Sequence, residues 1–229
     1  MIETSTIYKT LLKNPASVKG FKAVIAGEDY LSDRLVSIRT TGGLFSGSTM
    51  SIGGAVAGTL DMVIRNPGNI PKMAEIKLFY RLTLGAERSE WIPKGVYYID
   101  TRRPDKESNT LTIRGFDAML MGEQIWEPDQ ALGFSMPHRA AGSECARLMG
   151  VSVENLDGIS DAYTLDYPAN DYTLRQILRF VAAANGGNFV ISATGKLRFV
   201  PLNNLPSESN YLVTEDGEPI PFGGVRILV

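Results

Sequence analysis

Residues 20–118 consist of short segments in which apolar and polar residues alternate, separated by turn-forming residues. The segments span residues 21–25, 31–39, 51–65, 74–84, 96–102 and 110–116. Alternation places every second side chain on one face, which is the pattern of a strand with one buried side. Glycine, proline, asparagine and aspartate dominate the separators, as they do in tight turns. This spacing predicts an antiparallel β-barrel or sandwich over residues 20–118.

Glycines interrupt the segment at 51–65. Gly53, Gly54 and Gly58 predict bulges or a bend at which two backbones approach closely, because a missing side chain leaves room for a neighbouring chain. A further tight connection is predicted at residues 91–95. The polar stretch 104–109 predicts a turn between two strands.

The second half of the chain has helical spacing instead. A helix is predicted to start at residues 135–137 and another near Asp171 or Thr173, each ending at glycine. The second helix is followed by a hairpin of residues 188–192 and 196–200. We therefore divide the chain into an N-terminal arm with a short helix (1–19), a β domain (20–118), a small α/β domain (119–210) and a C-terminal strand (211–229).

Composition excludes several classes of function. The 229 residues carry 23 Lys and Arg against 25 Asp and Glu, so the chain lacks the cationic surplus of a nucleic-acid clamp. One cysteine, Cys145, cannot form an internal disulfide framework or a cysteine-rich zinc site. One histidine, His138, rules out a histidine-rich metal site. We expect no cofactor and no metal.

Two local motifs are interpreted as structural. The glycine-rich residues 42–49 lack the lysine that a phosphate-binding loop needs and precede a predicted strand, so they predict a turn. Arg102 and Arg103 lie beside Asp105 and Glu107 and are interpreted as a solvated loop, since two cations bind DNA weakly at physiological salt.

Candidate catalytic residues are few. His138 is expected to be a solvated or capping histidine at a helix start, and Cys145 a buried, inert thiol. Asp100 and Asp117 each end a predicted strand, and a further cluster lies in the second half. Carboxylates in such places are ordinary turn and cap residues, although a glycosidase needs only two facing acids. The second-half cluster is Asp161, Asp166 and Asp171.

Neither a secretory signal nor a membrane-spanning segment is predicted. The first residues include Glu3 and no apolar run, and the uncharged residues 40–60 are mostly glycine, serine and threonine. A soluble protein folded in the cytoplasm is expected.

Four segments, in order, resemble the N-terminal region of phage tail hub proteins, the tail-associated or baseplate-hub family of long-tailed phages. Each segment is built from turns and hydrophobic spacing, and the resemblance rests on the ordered set. The segments are residues 8–15 with 22–30; 44–46 with 51–60; 91–100 with 111–120; and 172–178 with 183–189 and 195–197.

The resemblance implies an α+β, mainly β fold: an antiparallel, tail-tube-like β-barrel followed by a small α/β domain of a helix plus a β-hairpin. It also implies a structural virion protein at the tail tip or baseplate, assembled in the bacterial host cytoplasm. Its copies would form a ring, as a trimer, that continues the tail tube and lets genome DNA pass without specific binding. Neighbouring tail-tube, distal-tail or baseplate proteins are the implied partners.

One departure concerns the C-terminus. Relatives of this kind usually carry a second barrel after the α/β domain, so that a trimer matches a six-fold tube. Here residues 225–229 are expected to be only the first strand of such a barrel, so either the ring closes differently or the chain is a shortened or split version. The trimer count depends on how the ring closes.

We expect no catalysis and place the candidate subunit interface in two loop regions. The interface residues predicted are Phe45, Ser46, Gly53, Gly54, Asp105, Lys106 and Glu107. Alternative interpretations are a tail-associated cell-wall hydrolase, a glycan-binding module, and the hub of a contractile injection system or phage-like bacteriocin.

Overall fold

The structure is a computed structural model that describes residues 3–42, 44–45, 49, 51–65 and 67–202. For residues 221–222 and 225–226 it describes the backbone alone. The α-helices of the described residues are α1 (Thr6–Leu12), α2 (His138–Leu148) and α3 (Leu174–Ala184). Short 3₁₀ helices span Ala118–Glu123 and Gln130–Leu132.

Strands make up most of the regular structure. In chain order they are β1 (Val18–Ile25), β2 (Glu28–Tyr30), β3 (Leu35–Thr41), β4 (Gly54–Ala55), β5 (Thr59–Arg65), β6 (Glu75–Leu84), β7 (Glu87–Arg88), β8 (Ile92–Asp105), β9 (Thr110–Phe116), β10 (Met136–Pro137), β11 (Val153–Asn155), β12 (Thr164–Leu165), β13 (Gly187–Ile191), β14 (Leu197–Pro201), β15 (Pro221–Phe222) and β16 (Val225–Arg226).

The first part of the chain forms one antiparallel sheet. Its strands lie in the order β2-β1-β6-β8-β9-β5-β3, and β7 pairs with β6. Alternate residues of β5, β6 and β9 are buried, as the sequence pattern predicts. The core under this sheet includes Tyr30, Ile64, Ile76, Ile99 and Ile113. The mainly β, antiparallel fold class is confirmed, and closure of the sheet into a barrel stays a prediction.

The second part is an α/β unit built around α2 and α3. Its sheet has the order β11-β14-β13-β4, in which β13 and β14 form an antiparallel hairpin and the outer strands run parallel to their neighbours. Trp126, Phe189 and Phe199 are fully buried in its core. The predicted hairpin is therefore confirmed, and the domain limits stay a prediction.

Helix α3 begins where its sequence indicates. The Thr173 side chain accepts a hydrogen bond from the Gln176 backbone N–H at 3.3 Å, and the Gln176 side chain accepts one from the Thr173 N–H at 2.8 Å. This reciprocal pair is a capping box. The apolar stripe of Leu174, Ile177, Leu178, Val181 and Ala182 is buried throughout.

Helix α1 packs against β6 and the start of β8 in the large sheet. Ser5 caps it by accepting the Tyr8 N–H at 3.0 Å. Tyr8 and Leu11 form a small core with Leu82 and Ile92. The short N-terminal helix is confirmed.

Several local expectations were wrong. Residues 92–95 belong to β8 rather than to a tight connection, because Pro93 lies where the β6–β8 register shifts. Arg102 and Arg103 also lie in β8, exposed, and the Arg102 guanidinium donates a hydrogen bond to the Ile70 carbonyl. They are strand residues rather than a loop.

The C-terminal region is described only in part. The backbones of β15 and β16 pair antiparallel, with Pro221 opposite Arg226 and Phe222 opposite Val225. Residues 203–220, 223–224 and 227–229 lie outside the described residues, and so do most of the residues expected to begin a second barrel.

Candidate functional site

The β8–β9 hairpin presents the predicted interface residues Asp105, Lys106 and Glu107 at its tip. The Asp105 carboxylate accepts hydrogen bonds from the Ser108 hydroxyl at 2.7 Å and from the Glu107 N–H at 3.0 Å. These donors, the Ser108 hydroxyl foremost, lower the pKa of Asp105. All three predicted residues are exposed. The tip is therefore a preformed, charged turn, which is suited to contact another molecule without ordering on binding.

Gly53 and Gly54 lie inside the chain's own packing. The Gly53 N–H donates to the Gly187 carbonyl at 2.9 Å, and Gly54 pairs in parallel with Asn188. Residues 54–55 thus form an edge strand of the α/β sheet, although the sequence predicted one continuous segment of the barrel at 51–65. The predicted close approach is confirmed: a Cβ on Gly53 would lie 3.0 Å from the Ala183 Cβ.

Asn188 holds this crossing segment in place. Its side-chain carbonyl accepts the Gly54 N–H at 2.6 Å, and its amide donates to the Leu44 and Ser51 carbonyls, each at 2.8 Å. Asn188 is completely buried, so these bonds form away from water. The sequence analysis missed this residue, since nothing in a lone asparagine at a strand start indicates partners more than 130 residues away.

Of the two remaining predicted interface residues, the structure describes Phe45. Phe45 is half-buried beside Leu44, whose carbonyl Asn188 binds. Ser46 lies outside the described residues, as do residues 43, 47 and 48 of the glycine-rich segment.

The structure does not bring the two predicted regions together. Residues 105–110 lie at the start of β9, where Thr110 pairs with Asp105, whereas Phe116 at its other end pairs with Thr59, next to Gly58. With a rise of about 3.4 Å per residue, the length of β9 separates these ends by about 20 Å. A contact surface that includes both would have to run along the whole sheet.

Asp117 joins the large sheet to the α/β unit. Its Oδ2 accepts the Gly58 N–H at 2.7 Å, its Oδ1 accepts the Met119 N–H at 2.9 Å, and its own N–H donates to the Gly58 carbonyl at 2.9 Å. It caps the 3₁₀ helix Ala118–Glu123, so the interpretation as a cap residue is confirmed. Burial raises the pKa of Asp117 to about 6, against the lowering effect of these donors.

A cleft of about 610 Å³ opens beside residues 51–57. Arg175 and Arg179 line it from α3. The Arg175 guanidinium pairs with Glu123 at 2.7 Å, and the Arg179 Nε donates to the Gly53 carbonyl at 3.4 Å. Arg179 therefore helps to fix the segment that crosses from the large sheet, whereas Arg175 binds the 3₁₀ helix Ala118–Glu123.

The carboxylates considered for hydrolysis have structural partners or lie apart. Asp100 is exposed at an irregularity of the β8–β9 pairing, inside β8 rather than at its end, whereas Asp117 is buried. Asp161 pairs with Arg139 at 2.9 Å, and Asp166 accepts the Thr164 hydroxyl at 2.9 Å. Asp171 is exposed just before α3.

His138 is buried, which corrects the expectation of a solvated or capping side chain. Its Nδ1 lies 3.2 Å from the Asn185 Nδ2, and its ring packs against Tyr163. Burial lowers the pKa of His138. Cys145 is buried as expected, and burial raises the pKa of its thiol well above the ordinary value.

Within the part of the chain that the structure describes, no cluster of three or more His, Cys, Asp or Glu side chains is arranged to hold a metal ion. Among the same residues, no helix has the length and apolar character needed to span a membrane.

Two solved structures share this architecture. The 43 kDa tail protein of prophage MuSo2 from Shewanella oneidensis matches with a TM-score of 0.53 at 13% identity, over 85% of this chain and 59% of that one. A tail protein from Neisseria meningitidis MC58 matches with a TM-score of 0.50 at 15% identity, over 85% of this chain and 54% of that one. The chain has the fold of these tail proteins.

The match is one of fold, since both identities are low. The chain spans 59% and 54% of the lengths of the two tail proteins. No protein-family model and no curated protein matches the chain.

Proposed function

We propose that this chain is a structural component of a phage or phage-like tail, a hub or tail-tip protein whose copies form a ring that continues the tail tube. The observation that carries the proposal is the fold shared over 85% of the chain with two tail proteins. In this function the chain has no catalytic residue, and its role is to form a ring through contacts between subunits.

The surface of the described chain supports a role in assembly. The large sheet ends in two edge strands, β2 and β3, and unpaired strand edges bind further strands. The charged tip at Asp105, Lys106 and Glu107 is exposed at one end of the sheet. Self-association through the charged tip, as a trimer, and binding to tail-tube, distal-tail or baseplate proteins are part of the proposal.

The charge of the chain suits a lumen for DNA. A net charge of −2 gives phosphates no general attraction, so that DNA passes without being held. The same properties fit the hub of a contractile injection system or a phage-like bacteriocin, so the proposal covers both kinds of particle.

The native mass of the purified chain across a concentration series tests the ring. A closed species of three or six subunits is expected, because a ring has a defined end point whereas open association grows with concentration. Native mass spectrometry or light scattering measures it. A strict monomer at all concentrations would count against self-assembly, and binding to and hydrolysis of isolated cell walls would then be tested for the hydrolase and glycan-binding alternatives.

The hairpin tip is predicted to act in assembly and not in folding. Exchanging the charges by Lys106→Glu with Glu107→Lys keeps the turn bonds of Asp105, so the free energy of unfolding should change by less than about 0.5 kcal/mol. Ring formation should weaken at least fivefold, because complementary charges at an interface become like charges. The matched control is the same exchange at Glu87 and Arg88 of β7, both exposed. Equal effects of the two exchanges would remove the tip from the interface.

A further inference from the structure

An open slot lies between strands β1 and β3 of the large sheet. Of the described residues that line it, Lys19, Gly20 and Phe21 belong to β1, and Leu35, Val36, Ser37 and Ile38 belong to β3. The slot has a volume of about 200 Å³ and is open to solvent. Its floor is apolar, because Leu35 and Ile38 pack on the core of the sheet.

On the side that faces the slot, no strand of the described residues pairs with the first half of β1, whose other side pairs with β6. Strand β2 covers only Ala23, Val24 and Ile25, and the chain then turns away at Leu31, whose carbonyl accepts the Leu35 N–H at 2.8 Å. Beyond the end of β2, the position next to β1 therefore holds no strand from the part of the chain that the structure describes.

The turn between β1 and β2 fixes which groups point into the slot. Ala26 and Gly27 have φ of 51° and 87°, the positive values of a two-residue hairpin turn, so Ile25 and Glu28 form a hydrogen-bonded pair. In an antiparallel ladder every second residue turns its N–H and C=O to the same neighbour. Every second residue before Ile25 therefore has the same orientation. The N–H and C=O groups of Phe21 and Lys19 point into the slot.

The lining of the slot carries one positive charge. Of the described residues that line it, Lys19 alone is charged. The charge of Arg39 on β3 is offset by Asp61, its cross-strand partner on β5, and Asp33 lies just before β3. An acidic segment complements Lys19, whereas a second copy of β3 brings no carboxylate.

We propose that this slot binds an extended acidic segment of another polypeptide by strand addition. The segment continues the row of β2, antiparallel to β1 and parallel to β3, and bonds to the backbones of Lys19 and Phe21. Alternate apolar side chains of the segment cover Leu35 and Ile38, and a carboxylate pairs with Lys19. The inference goes beyond the tail role and does not require it.

A peptide tests the slot directly. The probe is EVTVEVE amide with fluorescein on its N-terminus, compared with EVPVEPE, whose prolines cannot form the ladder, and with KVTVKVK, both labelled in the same way. Binding is measured by fluorescence anisotropy, and hydrogen exchange of the Lys19 and Phe21 amides by NMR. We expect EVTVEVE alone to bind and to slow exchange of both amides at least tenfold.

Variants distinguish the slot from other edges. Lys19→Glu and Val36→Glu should each weaken binding of EVTVEVE at least tenfold, since each opposes the peptide's carboxylates; Val36 is 53% exposed, so the change is tolerated. Val153→Glu is the control, on the exposed edge strand β11 of the other sheet, and should change binding less than twofold. Melting temperatures verify that all variants fold.

Besides absence of EVTVEVE binding, three results would overturn the proposal. One is equal peptide binding by the protein and by Lys19→Glu. Another is protection of the Lys19 and Phe21 amides in the free monomer, which would mean that the slot is already closed. The third is protection that rises with protein concentration without peptide, which would make a second copy the occupant. Absence of binding would leave Lys19 as a charge that guards the edge.

Discussion

Replacing both Gly53 and Gly54 by valine is expected to prevent the chain from folding to a soluble state. Gly53 has a φ of +76°, where a side chain costs about 1–2 kcal/mol, more for a branched one. Its Cβ would lie 3.0 Å from the Ala183 Cβ, and that of Gly54 would lie 3.0 Å from the Asn188 Oδ1. Such overpacking adds about 1–3 kcal/mol at each site.

The summed destabilisation by the two valines is comparable to the free energy of unfolding of a whole domain, which is about 5–15 kcal/mol. The expected result is loss of soluble protein, or a fall of several kcal/mol in the free energy of unfolding measured in urea. Displacing Asn188 also leaves the Leu44 and Ser51 carbonyls without their donors, so the two substitutions should couple.

Two matched substitutions separate the causes. Gly27→Val introduces the same side chain at a φ of +87° with no atom within 4 Å, so it measures backbone strain alone. Gly20→Val has ordinary φ and a single contact, to Arg81 at 3.9 Å, and should be close to neutral. A double variant as stable as Gly20→Val would contradict the crossing of residues 51–57 onto α3 and β13.

This crossing marks the limit of what the sequence predicts. The hairpin at 104–109 and the start of α3 follow from neighbours in the chain: Asp105 binds residues two and three positions on, and Thr173 binds Gln176. Local propensity and periodicity carry such information. The mainly β first half and the α/β second half are confirmed for the same reason.

The contacts that sequence analysis missed span long separations. In the sequence, Gly54–Ala55 belongs to the same strand-like segment as β5, which follows it. Its pairing with Asn188 and Phe189, seen in the structure, assigns it to the sheet of the α/β unit. His138 is buried by Asn185, 47 residues away. A lone sequence does not encode which distant residue will cover a side chain, so both assignments required the structure.

The second large effect is a pH dependence centred on Asp117. Burial raises its folded pKa from 3.8 to about 6, so the fold disfavours the ionised carboxylate. Protonation of Asp117 therefore adds to the free energy of unfolding. This contribution is fully present below about pH 4 and is lost as the pH rises from about 4 to 6. A shift of about two pKa units corresponds to about 3 kcal/mol.

Asp117→Asn removes this titration. The asparagine keeps one acceptor for the Gly58 or Met119 N–H and turns its NH₂ towards the other, so the variant should be less stable by about 1–3 kcal/mol. The deficit relative to the unsubstituted protein should be larger at pH 4 than at pH 7, because only the aspartate gains stability on protonation. Urea unfolding at both pH values measures it.

Asp100→Asn, on the exposed part of β8, is the control for the change of carboxylate to amide. Asp100→Asn keeps Asp117, so its stability relative to the unsubstituted protein should not change between pH 4 and pH 7. A deficit of Asp100→Asn that is larger at pH 4, or a deficit of Asp117→Asn that grows from pH 4 to pH 7, would contradict the assignment. Asp117→Ala separates the two roles of the residue, since it leaves the N–H groups of both Gly58 and Met119 without an acceptor. It should be the least stable of the three, because each buried donor without a partner costs about 1–3 kcal/mol. This order of stabilities would mean that the Asp117 carboxyl group holds the large sheet to the α/β unit through its hydrogen bonds. Its protonation would then determine how much it adds to the free energy of unfolding.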